Sequence, residues 1–143
     1  AVERETAAQQ LQQATRVREN FERYFTPRIA ARIAEATTRV LPGGVRQPVV
    51  VLFSDVRGFT AIAESLPPTQ MANQLNEYFA AMVDCVFRHD GALDKFIGDA
   101  IMAYWGAPEA GADDAARAVA AATDMQQALD RLNARWRTEG RPE

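Results

Sequence analysis

The chain has 143 residues, 48% of them hydrophobic, with 16 Lys and Arg against 19 Asp and Glu, one Cys and one His. This apolar content suffices for one domain with a core plus an appendage and excludes a disordered chain. The net charge of -3 gives no electrostatic footprint for nucleic acid, and Cys85 and His89 alone can make neither an internal disulfide nor a structural zinc site.

No apolar run exceeds six residues, as in Ala100 to Trp105, far below the roughly 20 residues that span a bilayer, and no secretory signal is visible. Together with the lone cysteine, this points to a reducing cytoplasm as the compartment. The chain opens inside a helical pattern with neither a Met nor a cap. It therefore reads as cut from a longer protein, leaving room upstream for a sensor or membrane domain.

From Glu3 to Glu22 the sequence has no Pro or Gly, and Ala7, Leu11, Ala14, Val17 and Phe21 recur at helical spacing. The narrow stripe suits a coiled-coil seam, but about two to three heptads also suit a helix packed on its own domain. Thr26-Pro27 predicts the start of a second short helix running to about Ala36, with Phe21, Tyr24 and Phe25 as an aromatic hinge. Leu41-Pro-Gly-Gly44 ends this connector, assigned to residues 1–46.

A second unit occupies residues 47–143. Val49 to Phe53, continuously apolar and β-branched, predicts a strand buried on both faces. A short helix follows around Thr60 to Ser65, and Pro67-Pro-Thr69 introduces a long one with Met71, Leu75, Tyr78, Phe79, Met82, Val83 and Val86 on its apolar face. Gly91 ends it. Two strands, Ala92 to Ile97 and Ala100 to Trp105, form a hairpin whose tip is Gly98-Asp99. Asp113 or Asp114 caps a last, Ala-rich helix to about Trp136, with Ala118, Ala121, Ala122, Met125, Leu129 and Leu132 inward. The order β, α, β, β, α is an α+β, ferredoxin-like βαββαβ unit that lacks its final strand.

Asp55 lies just past the first strand, where polarity switches abruptly from apolar to acid, and the hairpin can bring Asp99 beside it. Two converging carboxylates suit a hard divalent cation, magnesium or manganese rather than zinc. Between them Val56 to Thr60 leads into a helix start where exposed backbone N–H groups can meet phosphate, and Gly58 allows the turn. Two acids, a metal and an anion site suit a nucleoside triphosphate and two-metal catalysis. Taken singly, each acid has a plainer explanation, since Asp after a strand is commonly an N-cap and Gly-Asp a common turn. Spacing alone makes Lys95 an edge-strand charge or a snorkelling side chain, and leaves Arg57, Cys85, Arg88 and His89 as surface or helix-end residues.

Val49-Val-Val-Leu-Phe-Ser-Asp-Val-Arg-Gly-Phe-Thr60, followed by Asp94-Lys-Phe-Ile-Gly-Asp-Ala-Ile-Met-Ala-Tyr-Trp105, resembles the class III adenylyl and guanylyl cyclases, most closely bacterial adenylyl cyclases. The similarity runs from Pro48 to Trp136, and Phe21-Glu-Arg-Tyr-Phe-Thr-Pro27 resembles the helical connector of such bacterial enzymes. The resemblance implies an incomplete cyclase fold with two Mg²⁺ or Mn²⁺ ions on Asp55, Asp99 and the carbonyl of Val56. It further implies that the backbone of Gly58, Phe59 and Thr60 lines the phosphates, and that Lys95 reads adenine from across a head-to-tail homodimer.

The implied reaction is conversion of ATP to 3′,5′-cyclic AMP and pyrophosphate in intracellular signalling. The family's second purine-reading residue and its Asn and Arg donors have no counterpart before residue 143, so this stretch alone is expected to be nearly inactive. The alternative is a non-catalytic cyclase-like module that dimerises or binds nucleotide. A diguanylate cyclase lacks support because its Gly-Gly-acid-Glu-Phe hairpin motif is absent, and the P-loop motif is absent too.

Overall fold

A computed structural model describes residue 44 and residues 46–143. The helices expected over 3–22 and 26–36, and the aromatic hinge between them, lie outside the described residues.

Six elements follow in order: β1 (Val50–Ser54), α1 (Phe59–Ser65), α2 (Pro68–Arg88), β2 (Ala92–Ile97), β3 (Ala100–Trp105) and α3 (Asp114–Thr138). β3 is central and pairs antiparallel with β1 on one side and β2 on the other. The order β1-β3-β2 is that of a ferredoxin-like unit with one strand fewer. Among the described residues, β1 therefore keeps one unpaired edge.

Helices α2 and α3 cover one face of the sheet, and the alternation of β3 explains the core. Ile101, Ala103 and Trp105 point inward and are buried, while Ala100, Met102 and Tyr104 between them are partly exposed. Tyr78, Met82, Cys85 and Val86 of α2 meet Ala118, Ala121, Met125, Ala128, Leu132 and Trp136 of α3. The alanines let α3 approach closely, and each large side chain buried here contributes roughly 1.5 to 3 kcal/mol.

Two expectations need correction. β1 is not buried on both faces: Val51 and Phe53 are 41% and 65% exposed, while Val50 and Leu52 pack on the core. No layer covers the outer face among the described residues, so the continuous apolar run splits into an inner and an outer row. Cys85 is not a surface residue but fully buried, because it falls one turn from Met82 and beside Val86 on the inward stripe.

Polar contacts tie the C-terminal end of α2 to β3 and to α3. The Trp105 indole N–H donates to the His89 carbonyl at 2.8 Å, and the His89 ring meets Asp124 at 2.7 Å. His89 is thus engaged with α3 rather than standing free at a helix end. Asp113 holds the N-cap position of α3 without a side-chain cap bond, while the Asp114 carboxylate accepts the Gly111 N–H at 2.6 Å.

The β2 register slips between Leu93, opposite Ala103, and Lys95, opposite Met102. Asp94 is the extra residue of a bulge, which turns Lys95 toward the outer face. The hairpin is otherwise regular to its tip, where Gly98 takes φ 65 and Asp99 follows.

Candidate active site

β1 ends at Ser54 and the chain leaves the sheet at Asp55. The partner strand β3 begins at Ala100, with Ile101 opposite Ser54. Antiparallel pairing therefore brings the residue before β3, Asp99, alongside the residues after β1.

The Val56 N–H shows the convergence directly. It donates to Asp55 Oδ1 at 3.0 Å and to Asp99 Oδ2 at 3.2 Å, so two carboxylates 44 positions apart in the chain share one backbone donor. The Asp99 carboxyl, hydrogen-bonded to Asp55 and of like charge, holds the Asp55 pKa above its ordinary value, with desolvation adding to the rise. Two like charges brought this close repel one another, and a divalent cation between them would offset that repulsion.

The donors fit such a cation. Both carboxylates are oxygen ligands, and the Val56 carbonyl accepts only one long bond, from the Phe59 N–H at 3.4 Å, leaving a lone pair over. No group of three or more His, Cys, Asp or Glu among the described residues could hold a metal. Two carboxylates with water and substrate oxygens suit Mg²⁺, which retains much of its hydration, better than an all-protein cage.

Gly58 sits at φ 70 and ψ 17, in the left-handed region that lets the chain reverse between Asp55 and α1. The Gly58 carbonyl accepts the Ile62 N–H at 3.2 Å, Phe59 is partly buried and Thr60 is exposed. The turn is thus in place beside the acids, as the sequence led us to expect.

Lys95 does not join this cluster within the chain. It lies on the outer sheet face, two strand spacings from β1 or about 9.5 Å, and its ammonium pairs with Asp94 at 3.3 Å.

Beside the acids, a cavity of about 200 Å³ opens between α1, α2 and α3, lined by Asp55, Val56, Arg57, Gln74, Tyr78 and Trp136 among others. Gln74 and Tyr78 went unrecognised in the sequence as residues near the acids. Gln74 was findable, since it precedes Tyr78 and Met82 at four-residue steps on a stripe otherwise apolar. Its amide N–H donates to the Pro142 carbonyl at 2.6 Å. The Tyr78 hydroxyl is driven above its ordinary pKa by burial, and the Asp99 and Asp55 charges push the same way.

The family described as "Adenylate and Guanylate cyclase catalytic domain" matches residues 44–139. Adenylate cyclase 1 of Rhizobium meliloti (strain 1021) is 36% identical over 98 residues, covering 68% of this chain and 15% of that protein. An adenylate cyclase of Anabaena cylindrica is 35% identical over 117 residues, covering 80% of this chain and 22% of that one. The chain thus spans a small part of these curated relatives.

Among solved structures, the guanylyl cyclase Cya2 aligns with a TM-score of 0.66 at 43% identity, over 70% of this chain and 51% of that one. The adenylyl cyclase CyaB from P. aeruginosa aligns with a TM-score of 0.62 at 36% identity, over 66% and 50%. Motif, fold and these likenesses agree: the chain belongs to the adenylate and guanylate cyclase catalytic domain family, the class III nucleotidyl cyclases, and covers part of that domain.

Proposed function

We propose that the chain is the metal-holding part of an adenylate cyclase that converts ATP to 3′,5′-cyclic AMP and pyrophosphate at an interface between two copies. The observation that carries this reading is the convergence of Asp55 and Asp99 on the Val56 N–H.

Asp55 and Asp99, with the Val56 carbonyl, hold two Mg²⁺ or Mn²⁺ ions. When bound, these ions supply Lewis acidity at the ribose 3′-hydroxyl and charge neutralisation at the triphosphate. The chain's own contribution is orientation. The β1 end and the β2–β3 tip fix the two carboxylates, and the turn at Gly58, Phe59 and Thr60 presents backbone N–H groups to the phosphates. Both elements hang on β3, so the site is positioned before substrate arrives.

The exposed apolar outer face supports the homodimer. Phe53, Val51 and Ile97 are 65%, 41% and 52% exposed, and Lys95 shares that face. A lysine there serves a purine bound by the partner copy rather than by its own Asp55 and Asp99. As an N–H donor it can serve adenine N1, an acceptor where guanine carries an N–H, which favours ATP over GTP. In this reading residues 1–46 are a connector and 47–143 the catalytic part, placed in the cytoplasm where ATP is available.

The test is cyclic nucleotide formation from ATP and from GTP with Mn²⁺, by the full-length protein that carries this chain. Cyclic AMP as the main product, lost in Asp55→Asn, is expected. Turnover of neither nucleotide would replace this reading with a non-catalytic binding module. In the same assay Lys95→Glu should raise the GTP-to-ATP product ratio, because an acceptor then meets the purine edge; an unchanged ratio removes Lys95 from base recognition.

A further inference from the structure

Arg57 stands between the metal-binding acids and the turn, yet neither the fold nor the proposed chemistry has given its side chain a task. Most described arginines are engaged: Arg88 with Asp84 and Asp124, Arg117 with Asp90 and Asp114, Arg135 with Glu77, Arg137 with Glu143, and Arg141 with Glu77 and Glu139. Arg46 and Arg131 make no ion pair among the described residues, and neither lines the cavity wall beside Asp55. Arg57 is exposed and forms no ion pair or side-chain hydrogen bond among the described residues. It is also the cationic side chain in the wall that Asp55 and Val56 share.

That isolation is unusual in its setting. Asp55 and Asp99 converge on one backbone donor, and a guanidinium two residues from Asp55 could pair with either carboxylate. Instead the two carboxylates share the Val56 N–H, and the chain reverses at Gly58, φ 70, directly after Arg57. The guanidinium donors remain available on the rim of the acid pair.

We infer that Arg57 binds the outer phosphates of the nucleotide, the portion that leaves as pyrophosphate. The inference rests on the cyclase reading and adds a residue to it. A triphosphate brings more negative charge than two divalent cations have left over once two carboxylates are counted. A planar guanidinium with paired N–H donors matches phosphate oxygens in a bidentate fashion, which a lysine ammonium does not. Arg57 sits where this surplus charge would lie, next to the ligands of the ions and before the backbone turn.

The experiment is calorimetric titration of the 143-residue chain with Mn²⁺ alone and with Mn²⁺-pyrophosphate, for wild type, Arg57→Gln, Arg57→Lys and Asp55→Asn. Arg57→Gln should leave Mn²⁺ affinity and the thermal midpoint unchanged and weaken pyrophosphate binding by about tenfold or more, with Arg57→Lys recovering part of it. Unchanged pyrophosphate affinity in Arg57→Gln, with Mn²⁺ binding lost in Asp55→Asn, overturns the inference and leaves the cyclase reading intact. Absence of Mn²⁺ binding by the wild-type chain overturns both.

Discussion

Replacing Gly91 with Ala should destabilise the domain by about 2 kcal/mol, net of a small opposing gain in backbone entropy. A Cβ at Gly91 would lie 2.5 and 2.6 Å from two atoms of the Trp105 ring and 2.7 Å from Val86 Cγ1. Trp105 and Val86 are 2% and 0% exposed, so neither can swing aside into solvent. Overpacking of such a site costs about 1 to 3 kcal/mol, and the rigid indole places it near the top of that range. Against this, alanine stiffens the unfolded chain by about 0.4 to 1 kcal/mol, since Gly91 has no left-handed backbone to strain. For a domain of this size the net loss lowers Tm by about 8 to 16 °C, read by circular dichroism. Gly44→Ala is the control, because nothing lies within 4 Å of a Cβ there. A Gly91→Ala variant as stable as wild type, or one matched by Gly44→Ala, would refute the packing argument.

Trp105→Phe should cost about 2 kcal/mol in chemical denaturation, because it shrinks a buried side chain and strands the His89 carbonyl that the indole N–H serves; a loss below about 0.5 kcal/mol would show that the bond is dispensable. Glu77 accepts from the Trp136 indole at 3.0 Å and pairs with Arg141 and Arg135, and these partners, the Trp136 bond foremost, hold its pKa below the ordinary 4.5. The sign follows: its contribution is complete above pH 4.5 and is lost as pH falls further through the lowered folded value. Glu77→Gln should therefore be less stable than wild type at neutral pH, by about 1 kcal/mol after solvent screening, and should match it in strong acid. A gap that persists or widens in acid contradicts the assignment.

Much of the architecture was legible because punctuation was local. Gly98-Asp99 set the hairpin tip and both strand lengths, and Pro67-Pro68 set the start of α2. The acid pair was legible for a topological reason: an antiparallel partner of β1 must begin beside the place where β1 ends, so Asp99 had to approach Asp55. What escaped depended on tertiary context. The run Val49 to Phe53 carries no alternation, so sequence could not reveal that Val51 and Phe53 face outward. Cys85, read as a surface or helix-end residue, belongs to the buried stripe of α2. The bulge at Asp94, which decides the face taken by Lys95, has no sequence signature of its own.

The central claim is that Asp55 and Asp99 together hold a divalent cation. The most direct measurement is an electron paramagnetic resonance titration of free Mn²⁺ with the wild-type chain, Asp55→Asn and Asp99→Asn, each checked for an unchanged fold. The account predicts that the wild-type chain binds Mn²⁺ and that either substitution weakens it at least about tenfold, because each removes one of only two carboxylate ligands. Equal Mn²⁺ affinity in all three proteins would contradict it and leave the two carboxylates as a structural pair at the end of the sheet.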